Sequence, residues 1–475
     1  MIQGTGSGVG KSVIVAGICR MLANKGYKVA PFKAQNMALN SGVTYDGLEM
    51  GRAQILQAEA CKILPDVRMN PILIKPTEKG KSHVIRLGRP YKTVSYKDYY
   101  KLYDENLNVV KEAFFSLSKE FDIIVLEGAG SPAEINLQKF DLVNMKMAEI
   151  SNSNVYIVGD IDRGGVFASF KGTYDLIQPE YKEFIKGFII NKFRGDLSLL
   201  KPGINDFKKF CKIPIIGVVP YFENSLEEED SQSLSINRVQ RSEEISLNIG
   251  IVKLPYISNF TDFHPLEQIN KINVEYVTNP KELIHYDLII IPGSKNTIAD
   301  MNYLLNKGFY ERLKGLLGKK WIVGICGGFQ MLGKKIVDKE GIEHKGEIEG
   351  FGFIDMITFM KKEKILKRGE YPPLHNYLKN KISGYEIHHG YSTITDNNII
   401  DLLKKKGCLV FNEDKKLIGT YLHGIFENSE FLNFLFKLMN KKIKIDKTYH
   451  EIKEENLNKL ADIIEENIWE NICMM

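Results

Sequence analysis

The sequence has no apolar run approaching the ~18–20 residues of a membrane-spanning helix, and no charged-then-apolar leader opens it. It has no CxxC pair. Its six cysteines, Cys19, Cys61, Cys211, Cys326, Cys408 and Cys473, are scattered over the whole length. That scatter argues against a zinc ribbon or a disulfide-stapled secreted fold and points to a reducing compartment, the cytoplasm. No HxxxH metal spacing, no repeat of 20–50 residues and no low-complexity tract occurs. Charge of one sign is barely in excess: 64 Lys+Arg against 59 Asp+Glu give +5. So small an excess leaves no nucleic-acid footprint, although it suits an anionic substrate.

What is present is a globular composition, 44% hydrophobic and 26% charged over 475 residues, which excludes a disordered chain. At roughly 150 residues per domain, that length implies two to four domains. Apolar β-type runs at 27–34, 121–127, 154–160, 184–192 and 213–220 alternate with amphipathic stretches. Nearly continuous apolar strands alternating with helices predict a parallel sheet covered on both faces. A charged stretch beginning at Glu227 and lasting to about Glu244 reads as a solvated linker. A second strand set at 247–254, 274–278, 286–292 and 321–325 predicts a second α/β unit. The basic segment 361–380, with Pro372-Pro373, is expected to be a surface excursion. The last ~35 residues are expected to form a helix packed on the second domain. The predicted division is a nucleotide-using domain over 1–225, a linker over 226–246, a second domain over 247–440 and a helical extension over 441–475.

The first chemical motif is Gly4-Thr5-Gly6-Ser7-Gly8-Val9-Gly10-Lys11-Ser12, between a short strand and an apolar-periodic helix. Glycines such as Gly4, Gly8 and Gly10, with Thr5, let backbone amides turn inward around phosphate oxygens. The helix start adds about half a positive charge. Lys11 would neutralise the outer phosphates, and the Ser12 hydroxyl would be a Mg²⁺ ligand. Five residues separate Gly4 from Gly10, one more than the usual spacing. Only Met1-Ile2-Gln3 precede the loop, short for a strand, which leaves a natural start further upstream open.

Ligands of open parallel sheets collect outside the carboxyl ends of the strands. Glu127, in Leu126-Glu127-Gly128-Ala129-Gly130, is there a second candidate for Mg²⁺, with a helix cap as the bland alternative. Lys33 ends an earlier strand and would face either phosphates or solvent. Asp160, Asp162 and Arg163 end another strand and would position Mg²⁺ or bind substrate carboxylates. Asn191 and Lys192 end the next, where purine contacts commonly sit.

In the second half, Trp321-Ile322-Val323-Gly324-Ile325-Cys326-Gly327-Gly328-Phe329-Gln330 runs from an apolar strand through G-x-C-G-G into a helix. This is the pattern of a nucleophile elbow with cysteine in place of serine. A helix start would lower the thiol pKa from about 8.5 toward roughly 3.5–7.5. Backbone amides at Gly327 and near Gly293 and Ser294 would form an oxyanion hole, with Gln330 beside them for a glutamine substrate. His423, in Gly419-Thr420-Tyr421-Leu422-His423-Gly424, is the candidate base; His388 and His389 compete, and Glu427 could orient it.

A phosphate loop and a Cys–His glutaminase elbow in one chain suggest a glutamine-dependent amidoligase. One domain would release ammonia, mostly protonated when free at pH 7, for use by the other, which would activate a carboxylate with ATP. The chain resembles the cobyric acid synthase family over nearly its whole length. The resemblance rests on 30–41 (Ala-Pro-Phe-Lys-Ala-Gln-Asn-Met-Ala-Leu-Asn-Ser), Gly51-Arg52-Ala53-Gln54 and Met69-Asn70-Pro71. It continues through 127–137 (Glu-Gly-Ala-Gly-Ser-Pro-Ala-Glu-Ile-Asn-Leu), 159–165, 191–196, 292–297 and both elbow motifs. It implies amidation of the b, d, e and g carboxylates of adenosylcobyrinic acid a,c-diamide, with four ATP and four glutamine per product. It also implies Cys326 as nucleophile and His423 as base. The N-terminal part resembles dethiobiotin synthetase, whose loop has the same five-residue spacing. Class I glutaminases place Glu two residues after the histidine, but here Ile425 stands there. A Cys–His pair alone is the pattern the resemblance implies. The expected fold is thus an α/β P-loop domain plus a class I-type glutaminase α/β domain. The expected partners are a corrinoid and glutamine, with neither nucleic acid nor membrane. Two alternatives stay open: cobyrinic acid a,c-diamide synthase, and a deviant-Walker regulatory ATPase.

Overall fold

The computed structural model describes residues 1–77, 80–222, 226 and 244–469. The proposed linker therefore lies mostly outside the described residues, as does Cys473. The chain divides into two units. One comprises Met1–Ala38, Glu49–Glu227 and Lys453–Met475, the other Leu39–Leu48 and Glu228–Ile452.

The first unit is built on parallel strands. Ile2–Gly4 pairs with Val155–Asp160, which pairs with Ile185–Phe193 and then Ile215–Pro220. Val29–Phe32 pairs in parallel with Ile123–Leu126, and a parallel bridge between Ile2 and Glu127 joins this pair to the rest. Gly4 stands opposite Val158, and Asp160 opposite Asn191, so the candidate residues leave the sheet at one end. Three residues suffice for the short first strand because it is central: Ile2 lies between Tyr156 and Glu127 and is buried. Helix Lys11–Asn24 follows and buries Ile14, Val15, Ile18, Met21 and Leu22 against the sheet. A second, four-stranded sheet runs Gln35–Met37, Ile72–Pro76, Lys81–Arg86, Arg89–Ser95.

The terminal helix, Tyr449–Ile464, corrects the expectation that it packs on the second domain. From Lys453 onward it belongs to the first unit. Arg20, fully buried, donates two hydrogen bonds to the Glu454 carboxylate at 2.9 and 2.7 Å, and Lys453 pairs with Glu59 at 2.7 Å. Leu457, Leu460, Ala461 and Ile464 join the core of helix Lys11–Asn24. Gly17 leaves the space: a Cβ there would meet Ile464 at 2.6 Å and Leu460 at 2.9 Å. Charge and shape complementarity, not sequence adjacency, decided the partner.

The second unit carries a seven-stranded sheet. Its order is Ile272–Val277, Leu247–Val252, Leu288–Ile291, Trp321–Ile325, Leu417–Thr420, Leu409–Asn412, Ile400–Asp401. The first five are mutually parallel, and the last two pairings are antiparallel. The segment expected as a surface excursion is mostly exposed, and its first half is strand: Met356–Tyr371 pairs antiparallel with Ile382–Ile394, from Met356 opposite Ile394 to Tyr371 opposite Ile382. Pro372, which cannot donate to a ladder, ends it. Residues 39–48 of the N-terminal part also belong to this unit, a second departure from the predicted division.

Candidate active site

At the phosphate loop, Gly10 takes φ +94°, a left-handed conformation, and a Cβ there would meet Asn191 Nδ2 at 2.2 Å. Glycine is needed on both counts. Lys11 donates from Nζ to the carbonyls of Gly6 (2.8 Å) and Gly130 (3.3 Å), so its ammonium lies across the loop. Thr5 is anchored through its N–H to the Val158 carbonyl at 2.9 Å. Asn191 donates to the Val9 carbonyl at 2.8 Å, and Lys192 to that of Gly8 at 3.0 Å. Lys192 also pairs with Asp160 at 2.9 Å, and Arg163 lies 3.5 Å from the same carboxylate. Asp160, Arg163, Asn191 and Lys192 thus gather at the loop, whereas Asp162 pairs outward with Arg194 at 3.2 Å.

Glu127 is buried among donors. Ser12 Oγ donates to Oε1 at 2.8 Å, Lys33 Nζ lies 2.9 Å from the same oxygen, and Gln57 Nε2 donates to Oε2 at 2.5 Å. Burial favours its neutral form, but the Lys33 charge and the three hydrogen bonds hold the carboxyl below its ordinary value. Lys33 is therefore no solvated lysine; it is buried against Glu127. The Ser12 hydroxyl and Glu127 carboxylate lie side by side, a hard oxygen pair of the kind Mg²⁺ takes when phosphates supply the rest. Gln57, which sequence reading missed, secures the far carboxylate oxygen from a buried helix face whose pattern carries no catalytic signal.

In the second unit, strand Trp321–Ile325 delivers Cys326 in the strained conformation φ +51°, ψ −107°, ahead of the short helix Gly327–Leu332. Gly328 permits the turn: a Cβ there would sit 2.0 Å from the Ile291 carbonyl oxygen. Strain on a cysteine at such an elbow is a mark of function. Its Sγ lies 3.9 Å from the Ile387 carbonyl, and the residue interacts with His423 closely enough to favour the charged imidazole. A Cβ on Gly327 would meet the Ser294 amide at 2.9 Å, so the two backbones are in close contact. Gly293 lies beside the His423 ring, while the Ser294 hydroxyl is committed to Asp300 at 2.6 Å. Gln330 is buried, with Oε1 lacking a hydrogen-bond partner among the described residues.

The structure supplies a third member in place of Glu427 and of an unaccompanied pair. His423 Nδ1 donates to Asp262 Oδ2 at 2.6 Å, and the Gly424 N–H donates to Asp262 Oδ1 at 2.9 Å. Both side chains are almost fully buried. Burial alone would push the imidazole down, but the Asp262 charge and hydrogen bond, with Cys326 contributing, raise it to about 10. Asp262 lies 161 residues before His423, so spacing could not reveal it. A lone acid between Phe260 and Phe263 was the one available signal of a buried carboxylate. The competing histidines are engaged elsewhere. His388 shares a hydrogen bond with the Gly390 carbonyl at 2.8 Å and stacks on Tyr421, and His389 contacts the Lys361 carbonyl at 3.0 Å. Among the described residues no helix is long and apolar enough to cross a membrane, and no cluster of three His, Cys, Asp or Glu forms a metal cage.

Two family descriptions match the chain. Residues 1–236 match the CobQ/CobB/MinD/ParA nucleotide binding domain, and residues 248–431 the CobB/CobQ-like glutamine amidotransferase domain. Among curated proteins, the cobyric acid synthase of Clostridium botulinum (strain ATCC 19397 / Type A) is 45% identical, covering 98% of this chain and 97% of its own. That of Clostridium novyi (strain NT) is 44% identical, covering 98% and 95%. That of Thermoanaerobacter sp. (strain X514) is also 44% identical, covering 98% and 96%.

Proposed function

Since the chain belongs to the cobyric acid synthase family, we propose that it amidates the b, d, e and g carboxylates of adenosylcobyrinic acid a,c-diamide, using ATP and glutamine. The observation that carries this reading is one chain holding both a lysine-bearing phosphate loop beside Glu127 and a Cys326–His423–Asp262 constellation.

In the glutaminase half, the Cys326 thiolate attacks the glutamine carboxamide. Backbone amides of the Gly327–Ser294 contact are suited to the developing oxyanion, each such donor being worth on the order of 10²–10³ in rate. His423 gives a proton to the departing ammonia, and water then releases glutamate from the thioester. Asp262 fixes the imidazole tautomer and stabilises its charged form. The lone acceptor on Gln330 is suited to an N–H of bound glutamine.

In the synthetase half, a corrin carboxylate takes the γ-phosphoryl group of ATP, releasing ADP. Ammonia displaces phosphate from the acyl phosphate and leaves the amide. Lys11 crosses the loop where β- and γ-oxygens would lie, with Asn191 and Lys192 bonded to the loop backbone. Ser12 and Glu127 would hold Mg²⁺, which supplies charge neutralisation at the phosphates. Asp160 and Arg163 are the candidate substrate contacts; Asp162, paired outward, is the weaker of the three.

The test offers the purified protein, Mg-ATP and ¹⁵N-amide glutamine with either corrinoid. Fourfold ¹⁵N incorporation into the a,c-diamide is expected. Amidation of cobyrinic acid with none of its a,c-diamide would favour the diamide synthase instead. ATP hydrolysis indifferent to glutamine would favour a regulatory ATPase.

A further inference from the structure

Residues 39–48 come from the N-terminal part of the sequence yet belong to the unit that carries Cys326. Their side chains and backbone hold the partners of each catalytic group. Asn40 and Asn259 are cross-linked reciprocally: the Phe260 N–H donates to Asn40 Oδ1 at 3.2 Å, and the Ser41 N–H donates to Asn259 Oδ1 at 3.1 Å. Asn259 is the left-handed cap, φ +53°, of the turn Phe260–Phe263 that presents Asp262. Tyr385 donates from its hydroxyl to the Ser41 carbonyl at 3.3 Å. The same ring stacks on His423, with centroids 5.3 Å apart and planes 24° from parallel. The backbones of Tyr385 and His423 exchange two hydrogen bonds, at 2.9 and 3.1 Å. Val43, fully buried, packs with Tyr385 and with Ile387, whose carbonyl faces Cys326 Sγ.

We propose that the 39–48 segment is a positioning strap of the thiol site, in which Asn40 sets the turn bearing Asp262 and Ser41 sets the Tyr385 ring against His423. Neither residue touches the reacting atoms; both act through Asp262 and His423. A buried N–H deprived of its acceptor must find another, and the turn at Asn259–Asp262 shifts to do so. Sub-ångström displacement of Asp262 weakens its hold on the imidazolium, and misplacement by about 1 Å can cost on the order of 10²-fold in rate.

The inference rests on Cys326 and His423 being the glutaminase pair. It is tested in the full-length protein by measuring glutamate release for Asn40→Leu, Asn40→Asp and Tyr385→Phe over a range of pH. Asn40→Leu removes the acceptor at similar volume, whereas Asn40→Asp retains it. Expected are a kcat loss of about tenfold or more for Asn40→Leu with KM for glutamine within about twofold, a basic limb moved to lower pH, and recovery in Asn40→Asp. Tyr385→Phe keeps the ring and loses the hydroxyl's bond to the strap; a smaller fall in the same direction is expected. Unchanged kcat and pH profile in both Asn40→Leu and Tyr385→Phe would overturn the proposal. If Asn40→Leu does not fold, judged by its melting transition, Tyr385→Phe alone decides. Wild-type protein without glutaminase activity, or activity surviving Cys326→Ala, would refute the underlying site assignment instead.

Discussion

In the proposed glutaminase reaction, Asp262 is the residue on which the thiol chemistry turns. An imidazole as buried as His423 would ordinarily resist protonation, yet the adjacent carboxylate holds it at about 10. In the proposed reaction the imidazolium is the form that protonates the departing ammonia. Activity should therefore fall as pH rises through His423's pKa, not below it. Asp262→Asn removes the charge that raises that pKa, so the basic limb of glutamate release should move down, toward the ordinary histidine value of about 6.5. At neutral pH kcat should drop by roughly 10²-fold or more, as loss of an orienting carboxylate does in other triads. A pH–rate profile checks both; a basic limb unmoved in Asp262→Asn would deny the aspartate this role. Glu127 is the corresponding residue in the other unit. Its contacts with Ser12, Lys33 and Gln57 make it a fixed anion at neutral pH, which a Mg²⁺ partner requires.

The most consequential element is helix Tyr449–Ile464. Its buried face, Leu457, Leu460, Ala461 and Ile464, completes the core beneath the phosphate-loop helix, and Glu454 compensates the buried Arg20. Leu460 is nearly inaccessible, so Leu460→Ala should cost about 2–5 kcal/mol. Calorimetry with nucleotide binding as readout should show a lowered transition and weakened ATP affinity, while glutamate release persists at moderate temperature. A loss confined to glutaminase activity would contradict the helix's assignment to the first unit. The Met356–Tyr371 and Ile382–Ile394 hairpin matters for a different reason: its second strand carries Tyr385 and Ile387, which face His423 and Cys326. The Lys-rich outer face of that hairpin suggested an excursion because strands with one solvated face can carry many charges.

At the scale of the molecule, two chemistries separate by unit. Cys326→Ala should abolish glutamine-driven amidation and leave ammonia-driven amidation largely intact. Lys11→Ala should abolish both, because carboxylate activation fails. Product assays with each nitrogen source test the pair: equal loss of both activities in Cys326→Ala, or ammonia-driven turnover surviving in Lys11→Ala, would break the division of labour. The phosphate loop, Glu127 and the cysteine elbow were legible from residues alone, because each is a local run whose backbone geometry is dictated by glycines within a few positions. The parallel strands were equally legible, since apolar runs buried on both faces leave a continuous trace in composition. Asp262, Gln57, the strap at 39–48 and the partner of the terminal helix were not legible. Each works through contacts between residues dozens to hundreds of positions apart, and no local pattern encodes which distant surface a side chain will meet. The sequence by itself determined which groups can do chemistry. Only tertiary packing, by burying an aspartate within hydrogen-bond reach of a histidine, decided which of them act together.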